Sequence, residues 1–324
     1  MKRPAILLLL MGACNPAQMQ DPGSQPRGDR PLEFAISKAG QGQDEASMSE
    51  FNYLTYDFNL GSWSGVMGST AICSEDGKFR PSDAGVLYWP EGKTFSFFAV
   101  GYNENVPVPA SAVEFGSGMM LYGSGSSGLL SLKNPGHDVD WLAAKSLSRS
   151  ASESVSLQFR HVCARISRLR FDLADYRDWI HARELDVASI ESMGCSLSDA
   201  DEQVFIFSTD ATSLFRKESW DYTSSASRSL DGRRNLGLAS GSCCVDLSYY
   251  AFPGLHRIQM RLRLRGSGGL PVIDDRQLSG EVLLPMGCDC ELTIKVNPDD
   301  RPLDVRLSAV LPGWDQGGNG NVLE

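Results

Sequence analysis

The eight cysteines are the side chains best suited to covalent or metal chemistry in this 324-residue chain. Two pairs are closely spaced, Cys243-Cys244 and Cys288-x-Cys290. Four converging thiolates would bind zinc, although neither pair has the two intervening residues of a common zinc knuckle. The same thiols could form cross-strand disulfides in an exported protein, or fill a core as small buried side chains. Apart from Cys14 their number is odd, so at least one stays unpaired within the chain: Cys73, Cys163, Cys195, Cys243, Cys244, Cys288 and Cys290.

The histidines and carboxylates show no catalytic spacing. There is no HExxH motif, no GxSxG nucleophile motif and no phosphate-binding loop. His161 falls on the inward side of a predicted strand, where a packed and hydrogen-bonded residue is expected. We therefore predict that the protein is not an enzyme and that it has no cofactor and no metal site. The four histidines considered are His137, His161, His181 and His256.

The amino-terminal stretch is typical of an export signal. Lys2 and Arg3 are followed by the apolar run Ala5–Met11, which is too short to span a bilayer as a helix. Small residues then precede Cys14, which fits the lipobox of bacterial lipoproteins, where a peptidase cuts before the cysteine and acyl chains such as palmitate are attached. We predict a lipoprotein signal peptide over residues 1–13 and lipidation of Cys14, which would hold the protein at a membrane.

The charge balance argues against nucleic acid as a partner. The chain has 30 Lys and Arg against 40 Asp and Glu, and loss of Lys2 and Arg3 with the signal leaves 28 against 40, a net charge of −12. Residues 14–31 are rich in Pro, Gln, Asp, Gly and Ser, and this composition predicts a flexible tether.

Period-two patterns, which indicate strands, dominate the rest of the chain. Leu32, Phe34 and Ile36 alternate in the first candidate strand. The segment Thr94–Val100 is apolar on both faces, and His256–Arg265 alternates apolar residues with arginines. We therefore predict an all-β fold.

The length beyond the tether suits two domains of ordinary size, which we place at residues 32–198 and 199–324, with a boundary near Gly194–Ala200. The segment Asp175–Arg183 predicts a surface helix between strands.

The longest strand pattern is Ser156–Leu173. Leu157 and Phe159 alternate on one side, and the apolar side changes between Val162 and Ile166 before the first alternation returns. A bulge or a bend explains this change most simply, and a strand of this length predicts partners on both sides.

Three motifs, in this order, resemble the fimbrillins, which are pilin subunits and surface lipoproteins of Bacteroidetes. The first is a Tyr-Trp-Pro turn followed by a phenylalanine-rich strand, the second is an aspartate-led strand at Asp138–Ala144, and the third is an LxFxHxxAR strand. The residues that carry the resemblance are Tyr88, Trp89, Pro90, Phe97, Phe98, Leu157, Phe159 and His161.

This resemblance implies a fold and a mechanism. The fold would be two tandem transthyretin-like β-sandwich domains, and the protein would be a stalk, tip or anchor subunit of cell-surface fimbriae. In the family, a protease removes an amino-terminal segment with the first strand, and the vacated groove accepts a strand from a neighbouring subunit. Here Leu32, Phe34 and Ile36 would form the inward face of the removed strand. The donor would lie near Leu303–Trp314 or in the tail Asp315–Glu324.

The cleavage site departs from the family pattern. Polymerising members often carry Arg-Ala after the first strand, whereas this chain has Lys38-Ala39, with Arg30 before the strand. The implied partners are other fimbrial subunits, the outer membrane through the lipid, and a surface glycan or protein.

A glycan-binding or adhesive surface lipoprotein that does not polymerise is the alternative. Exposed aromatic residues such as Tyr102, Trp220 or Tyr249 would then stack against sugars. The arginines of His256–Arg265 suggest either a basic stripe for an anionic partner or a solvated sheet face.

Overall fold

The computed structural model describes fourteen segments of the chain. They are residues 27–38, 48–58, 61–64, 70–82, 86–103, 108–117, 126–134, 138–150, 155–209, 213–215, 226–236, 241–269, 272–298 and 302–310. Within these segments nearly every element is a strand, so the predicted all-β class is confirmed. The described part of the chain has one α-helix, α1 (Ala174–Ala182), which matches the predicted helix within one residue at each end.

The described residues form 22 strands. Those of the first half are β1 (Arg27–Pro31), β2 (Phe34–Lys38), β3 (Glu50–Asp57), β4 (Ser62–Ser64), β5 (Thr70–Cys73), β6 (Phe79–Pro81), β7 (Tyr88–Pro90), β8 (Thr94–Tyr102), β9 (Val113–Ser117), β10 (Ser127–Lys133), β11 (Trp141–Ser150) and β12 (Val155–His161). Those of the second half are β13 (Ala164–Asp172), β14 (Val187–Asp199), β15 (Glu202–Ser208), β16 (Ala226–Asp231), β17 (Arg234–Asn235), β18 (Ser242–Ala251), β19 (Gly254–Gly266), β20 (Val272–Leu284), β21 (Asp289–Lys295) and β22 (Asp304–Val310).

The largest sheet closes on itself, and we call it the closed sheet. Its strands follow the order β4-β3-β5-β6-β2-β12-β11-β8, and β3 also pairs with β8 to complete the circuit. Aromatic side chains fill its interior because alternate residues of each strand point inward. Phe51, Tyr53, Phe97 and Phe159 are each at most 1% exposed there.

A three-stranded sheet, β15-β10-β9, covers part of the outer face of the closed sheet. The Phe98 ring points outward from β8 and stacks on Phe207 of β15, with ring centroids 4.0 Å apart. Phe97 and Phe98 therefore belong to two different cores on opposite faces of one strand. This explains why Thr94–Val100 is apolar on both sides, as its sequence indicates.

Two further sheets share the third core. The four-stranded sheet follows β18-β13-β21-β22, and the five-stranded sheet follows β16-β14-β19-β20 with β17 beside β14. Their facing side chains and two residues of α1, Tyr176 and Ile180, form one buried cluster. In β19, Ile258 and Leu262 are fully buried, which is the inward face that the alternation predicts.

The segment Ser156–Leu173 joins the two halves of the molecule. It is not one bent strand, because it forms β12 in the closed sheet and β13 in the four-stranded sheet, with Val162 and Cys163 between them. A register shift follows between Ile166 and Arg168, where the apolar side changes a second time. Both strands have partners on each side, as expected for central strands.

Strand pairing does not follow the predicted division at residues 198 and 199. β13 and β14 precede that point but pair with β18, β21, β16 and β19 of the second half. β15 follows it but pairs with β10 of the first half. The chain therefore passes from the closed sheet to the four-stranded sheet between β12 and β13. It then returns through β15, which pairs with β10 in the three-stranded sheet.

Candidate functional site

The first strand of the closed sheet, β2, lies between two partners of unequal length. On one side it pairs in parallel with β12 over five residues, from Phe34 opposite Val155 to Lys38 opposite Phe159. On the other side only Phe34 pairs with β6, at Phe79. β2 precedes every other strand of the closed sheet in the sequence. Its removal would leave one edge of β12 unpaired, while the other strands of the closed sheet stay connected.

The side chain of Phe34 fills a pocket made of aromatic rings. It is 2% exposed, and its ring lies edge-on to Phe51, Tyr53 and Phe97 at centroid distances of 5.4, 4.9 and 5.6 Å. Such edge-to-face contacts are favourable because the ring edge is positive and the ring face negative. Loss of β2 would therefore leave an apolar slot as well as an open strand edge.

The neighbours of Phe34 on the same face are also placed inward. Leu32 is 2% exposed, and its N–H donates to the Leu87 carbonyl at 2.8 Å. Ile36 is half-buried against the same core. The three residues predicted for the inward face of the first strand therefore pack against the same core, Phe34 and Ile36 from β2 and Leu32 from just before it.

Glu33 faces the opposite way and is held by two cations. Lys78 Nζ donates to Glu33 Oε2 at 2.8 Å, and Arg80 donates to Glu33 Oε1 from Nη2 at 2.8 Å and from Nε at 3.1 Å. Hydrogen bonds from Lys78 and then Arg80 lower the pKa of Glu33. This contact was not predicted from the sequence, where the only local sign of it is that Lys78 and Arg80 flank the apolar Phe79.

Residues just before β2 are ordered as well. Arg27–Pro31, which lies in the predicted tether, forms β1 and pairs with β7, the strand that contains the Tyr-Trp-Pro motif. Trp89 of this motif is 2% exposed, and its indole N–H donates to the Lys93 carbonyl at 3.0 Å. The motif thus pairs with the segment that leads into β2, with Pro31 opposite Tyr88.

The third motif lies in β12, the strand that pairs with β2 and would border the groove left by its removal. Leu157 and Phe159 of β12 are fully buried in the closed sheet. His161 is half-buried, and its Nδ1 lies 2.7 Å from Asp140 Oδ2, which belongs to the aspartate-led segment. The second and third motifs are therefore joined directly, and His161 takes part in packing and hydrogen bonding.

The predicted processing residues lie at the ends of this strand or beyond it. Lys38 is the last residue of β2, and Arg30 lies within β1. Cys14 and Ala39 lie outside the described residues. A protease that cuts after Lys38 would act at the junction between β2 and the segment that leads to β3.

The cysteine pairs do not converge, so a four-thiolate metal site at Cys243-Cys244 and Cys288-x-Cys290 is wrong. Cys243 lies opposite Phe171 of β13 and Cys290 lies opposite Ile166, which are five residues or about 17 Å apart along the strand. The seven cysteines of the described segments are free thiols, not disulfides. Burial raises the pKa of Cys195 to about 12, which keeps that thiol protonated and inert.

Carboxylates neutralise the arginines of β19. Asp275 accepts hydrogen bonds from Arg261 at 2.7 Å and from Arg263 at 2.8 Å, and Glu191 accepts one from Arg265 at 3.2 Å. The pKa of Asp275 falls to about 2 because of these two guanidinium groups. This face is a paired, solvated sheet surface rather than a free basic stripe.

Of the three aromatic residues of the alternative hypothesis, the structure describes Tyr102 and Tyr249. Tyr249 is 4% exposed, so its prediction as a stacking residue is wrong. Tyr102 is half-buried with its ring centroid 5.8 Å from that of Trp141, and Trp220 lies outside the described residues.

The described histidines do not form a site either. His256 is fully buried, with Nδ1 2.5 Å from the Ser198 carbonyl and Nε2 2.8 Å from the Phe252 carbonyl. His181 is exposed on α1, and His137 lies outside the described residues. In the part of the chain that the structure describes, no three His, Cys, Asp or Glu side chains are arranged to hold a metal ion.

Among the residues that the structure covers, no helix is both long enough and apolar enough to cross a bilayer.

No family model and no curated protein matches the chain. Several solved bacterial structures resemble it at low identity. A candidate cell adhesion protein from Bacteroides ovatus is 13% identical with a TM-score of 0.42, over 89% of this chain and 99% of its own. Another from Parabacteroides distasonis is 11% identical with a TM-score of 0.42, over 89% and 98%. A fimbrial assembly protein from P. distasonis is 8% identical with a TM-score of 0.33, over 86% and 98%. At these values, neither the fold nor the function of those proteins is transferred to this chain.

Proposed function

We propose that this protein is a structural subunit of a cell-surface fibre that assembles by exchange of β2, the first strand of its closed sheet. A protease removes the amino-terminal segment with β2, and a strand from a neighbouring subunit takes its place in the closed sheet. The proposal includes export as a lipoprotein acylated at Cys14, delivery to the outer membrane, and a role in adhesion as a stalk, tip or anchor subunit. It also includes a fold of two tandem transthyretin-like β-sandwich domains.

The observation that carries this proposal is the position of β2. A strand at the start of the chain supplies Phe34 to a buried aromatic pocket and five residue pairs to β12. When such a strand leaves, it exposes unpaired backbone groups and an apolar slot together, and both are satisfied by another extended strand. Main-chain hydrogen bonds would give affinity, and alternate side chains would set the register.

The carboxyl-terminal region supplies the candidate donor. β22 lies at the edge of the four-stranded sheet and pairs with β21 alone in that sheet. It belongs to the predicted donor region Leu303–Trp314, and the tail Asp315–Glu324 lies outside the described residues.

The experiment is to determine the amino terminus of the protein taken from the cell surface, by intact mass and terminal sequencing. We expect a chain that starts at Ala39 or within a few residues of it, because a cut there removes β1 and β2 and leaves β3 intact. A surface population made only of acylated Cys14 chains would show that the first strand stays in place, and would overturn strand exchange in this protein.

A further inference from the structure

Glu33 directly precedes β2, and its contacts are ion pairs, whereas those of Phe34 in the strand are apolar. Lys78 and Arg80 together donate three hydrogen bonds to its carboxylate, at 2.8, 3.1 and 2.8 Å. The Glu33 side chain is 27% exposed, and those of Lys78 and Arg80 are 54% and 34% exposed. The cations therefore lie at the rim of the groove and can be reached from solvent when β2 is gone.

The two cations have a fixed position relative to the aromatic pocket. Lys78 and Arg80 flank Phe79, which is 3% exposed and lies directly opposite Phe34. Residues on either side of an inward-facing strand residue point outward. The groove thus presents an outward cation, an inward ring and a second outward cation in a row. Opposite them lie Glu33, which directly precedes β2, and Phe34, its first residue.

The guanidinium of Arg80 is oriented even without Glu33. Asp76 accepts a hydrogen bond from Arg80 Nη2 at 2.7 Å and another from Nη1 at 3.3 Å. Lys78, Arg80 and Asp76 sum to one positive charge when Glu33 is absent. An empty groove would therefore keep a cationic rim that is already positioned for a carboxylate.

We propose that Lys78 and Arg80 select the incoming strand by its charge, and accept a strand in which an acidic residue directly precedes the apolar residue that enters the Phe34 pocket. This inference rests on the proposed function, because it requires that β2 be replaced. The acidic residue fixes the register, since a shift by one position would place it in the aromatic pocket, where an unpaired charge is costly.

The requirement distinguishes the two candidate donor segments of this chain. Leu303-Asp304-Val305 has an apolar, an acidic and an apolar residue in the order of Leu32-Glu33-Phe34. In the tail, Asp315 is followed by the polar residue Gln316, so it does not meet this requirement. A second copy of this chain would therefore donate the segment that begins at Leu303, not the tail.

The test uses the full chain with a protease recognition site placed within residues 39–47, so that the folded protein can be cut between β2 and β3. The cut protein is mixed with an excess of a labelled peptide of residues 31–38, and exchange is followed by mass and by fluorescence anisotropy. Variants of the peptide carry Glu33→Gln or Glu33→Lys. The matched control is Ala35→Lys, a charge added at an exposed position of the same strand.

We expect Glu33→Gln to weaken peptide binding about fivefold and Glu33→Lys by at least about tenfold, because one loses and the other reverses an attraction to two partly exposed cations. The Ala35→Lys peptide binds like the parent. The double variant Lys78→Glu with Arg80→Glu reverses the order and prefers the Glu33→Lys peptide. These differences shrink in high salt, since rim charges are screened.

Two further peptides test the donor. The peptide of residues 302–310 should compete with the labelled strand, and the peptide of residues 315–324 should not. If the parent peptide of residues 31–38 fails to enter the cut protein, the proposed strand exchange is itself wrong. If that peptide enters but its Glu33 variants bind equally, or if the tail peptide competes as well, strand exchange stands and selection by charge is overturned.

Discussion

At the scale of single residues, Phe34 links the first strand to the core of the closed sheet. Its ring is 2% exposed and contacts three other aromatic rings. We expect Phe34→Ala to lower the free energy of unfolding by about 3–5 kcal/mol, because it removes buried apolar area and leaves a cavity among rings that cannot close up fully. Urea unfolding followed by tryptophan fluorescence measures this change.

A leucine on the surface provides the matched control for Phe34. Leu283 is 50% exposed on the outer face of β20, so Leu283→Ala should change the free energy of unfolding by no more than about 0.5 kcal/mol. Equal effects of the two substitutions would contradict the view that β2 is anchored by its aromatic side chain.

The sequence predicted the apolar half of this site better than the charged half. The alternation of Leu32, Phe34 and Ile36 indicates an inward face, because period two is a local property of a strand. The partner of Glu33 is not local, since Arg80 lies 47 residues further along the chain. For the same reason the sequence leaves open whether the arginines of β19 form a basic stripe or a solvated sheet face, because their partner Asp275 lies on the next strand.

At the scale of elements, β22 is held against β20 by one close approach. The Leu303 N–H, just before β22, donates to the Ser279 carbonyl at 2.8 Å. A Cβ atom on Gly280 would lie 2.5 Å from the Leu303 carbonyl oxygen and 2.8 Å from Val305 Cγ2. We expect Gly280→Ala to push β22 outward and to destabilise the protein by roughly 1–3 kcal/mol, because the backbone must shift.

Hydrogen exchange is the measurement for Gly280→Ala. Amides of β22 should exchange faster than in the parent protein, while those of β13 keep their protection. Gly232→Ala is the control, since a Cβ there has open space around it. Unchanged protection of β22 in Gly280→Ala would show that the contact with β20 does not hold this strand.

The elements themselves were largely predictable, and their boundaries less so. The apolar strand Thr94–Val100 and the helix near Asp175–Arg183 appear where the sequence indicates them. The segment Ser156–Leu173 was predicted as one bulged or bent strand, because a change of its apolar side does not by itself distinguish a bulge from a change of sheet. Only pairing with β2 and β11 on one side of Val162, and with β18 and β21 on the other, divides it.

At the scale of the whole molecule, the two halves are connected by more than the chain. β15 returns from the second half to pair with β10, for example with Lys133 opposite Glu202. The paired residues are far apart in the sequence, so no local pattern predicts the contact. Beside this return, Asp199 at the end of β14 is fully buried and accepts a hydrogen bond from the Asn134 side-chain amide at 3.0 Å. A titratable group thus lies where the halves meet.

Asp199 makes the stability of this junction depend on pH. Burial raises the pKa of Asp199 to about 7, against the opposing effects of the Ala200 N–H and the Arg228 guanidinium. The ordinary pKa is about 4. Between these values the folded chain holds a proton that the unfolded chain has lost, so this group makes the protein less stable as pH rises from about 4 to about 7. Asp199→Asn should abolish this loss of stability. The unfolding free energy of the variant minus that of the parent should therefore increase by up to about 4 kcal/mol from pH 4 to above pH 7.

The readout is the difference in unfolding free energy between Asp199→Asn and the parent across pH 4–8. Altered hydrogen bonding in the variant shifts this difference in unfolding free energy by the same amount at every pH. Titration of the buried His256 is common to both proteins and cancels. A dependence of the difference on pH therefore comes from Asp199. Asp201→Asn is the matched control, because Asp201 is a largely exposed carboxylate that pairs with the same Arg228. Parallel pH curves for Asp199→Asn and the parent, or an equal slope for Asp201→Asn, would show that Asp199 does not control the junction. A slope found only for Asp199→Asn would mean that the two halves are joined most firmly in mildly acidic surroundings, where the carboxyl group stays neutral.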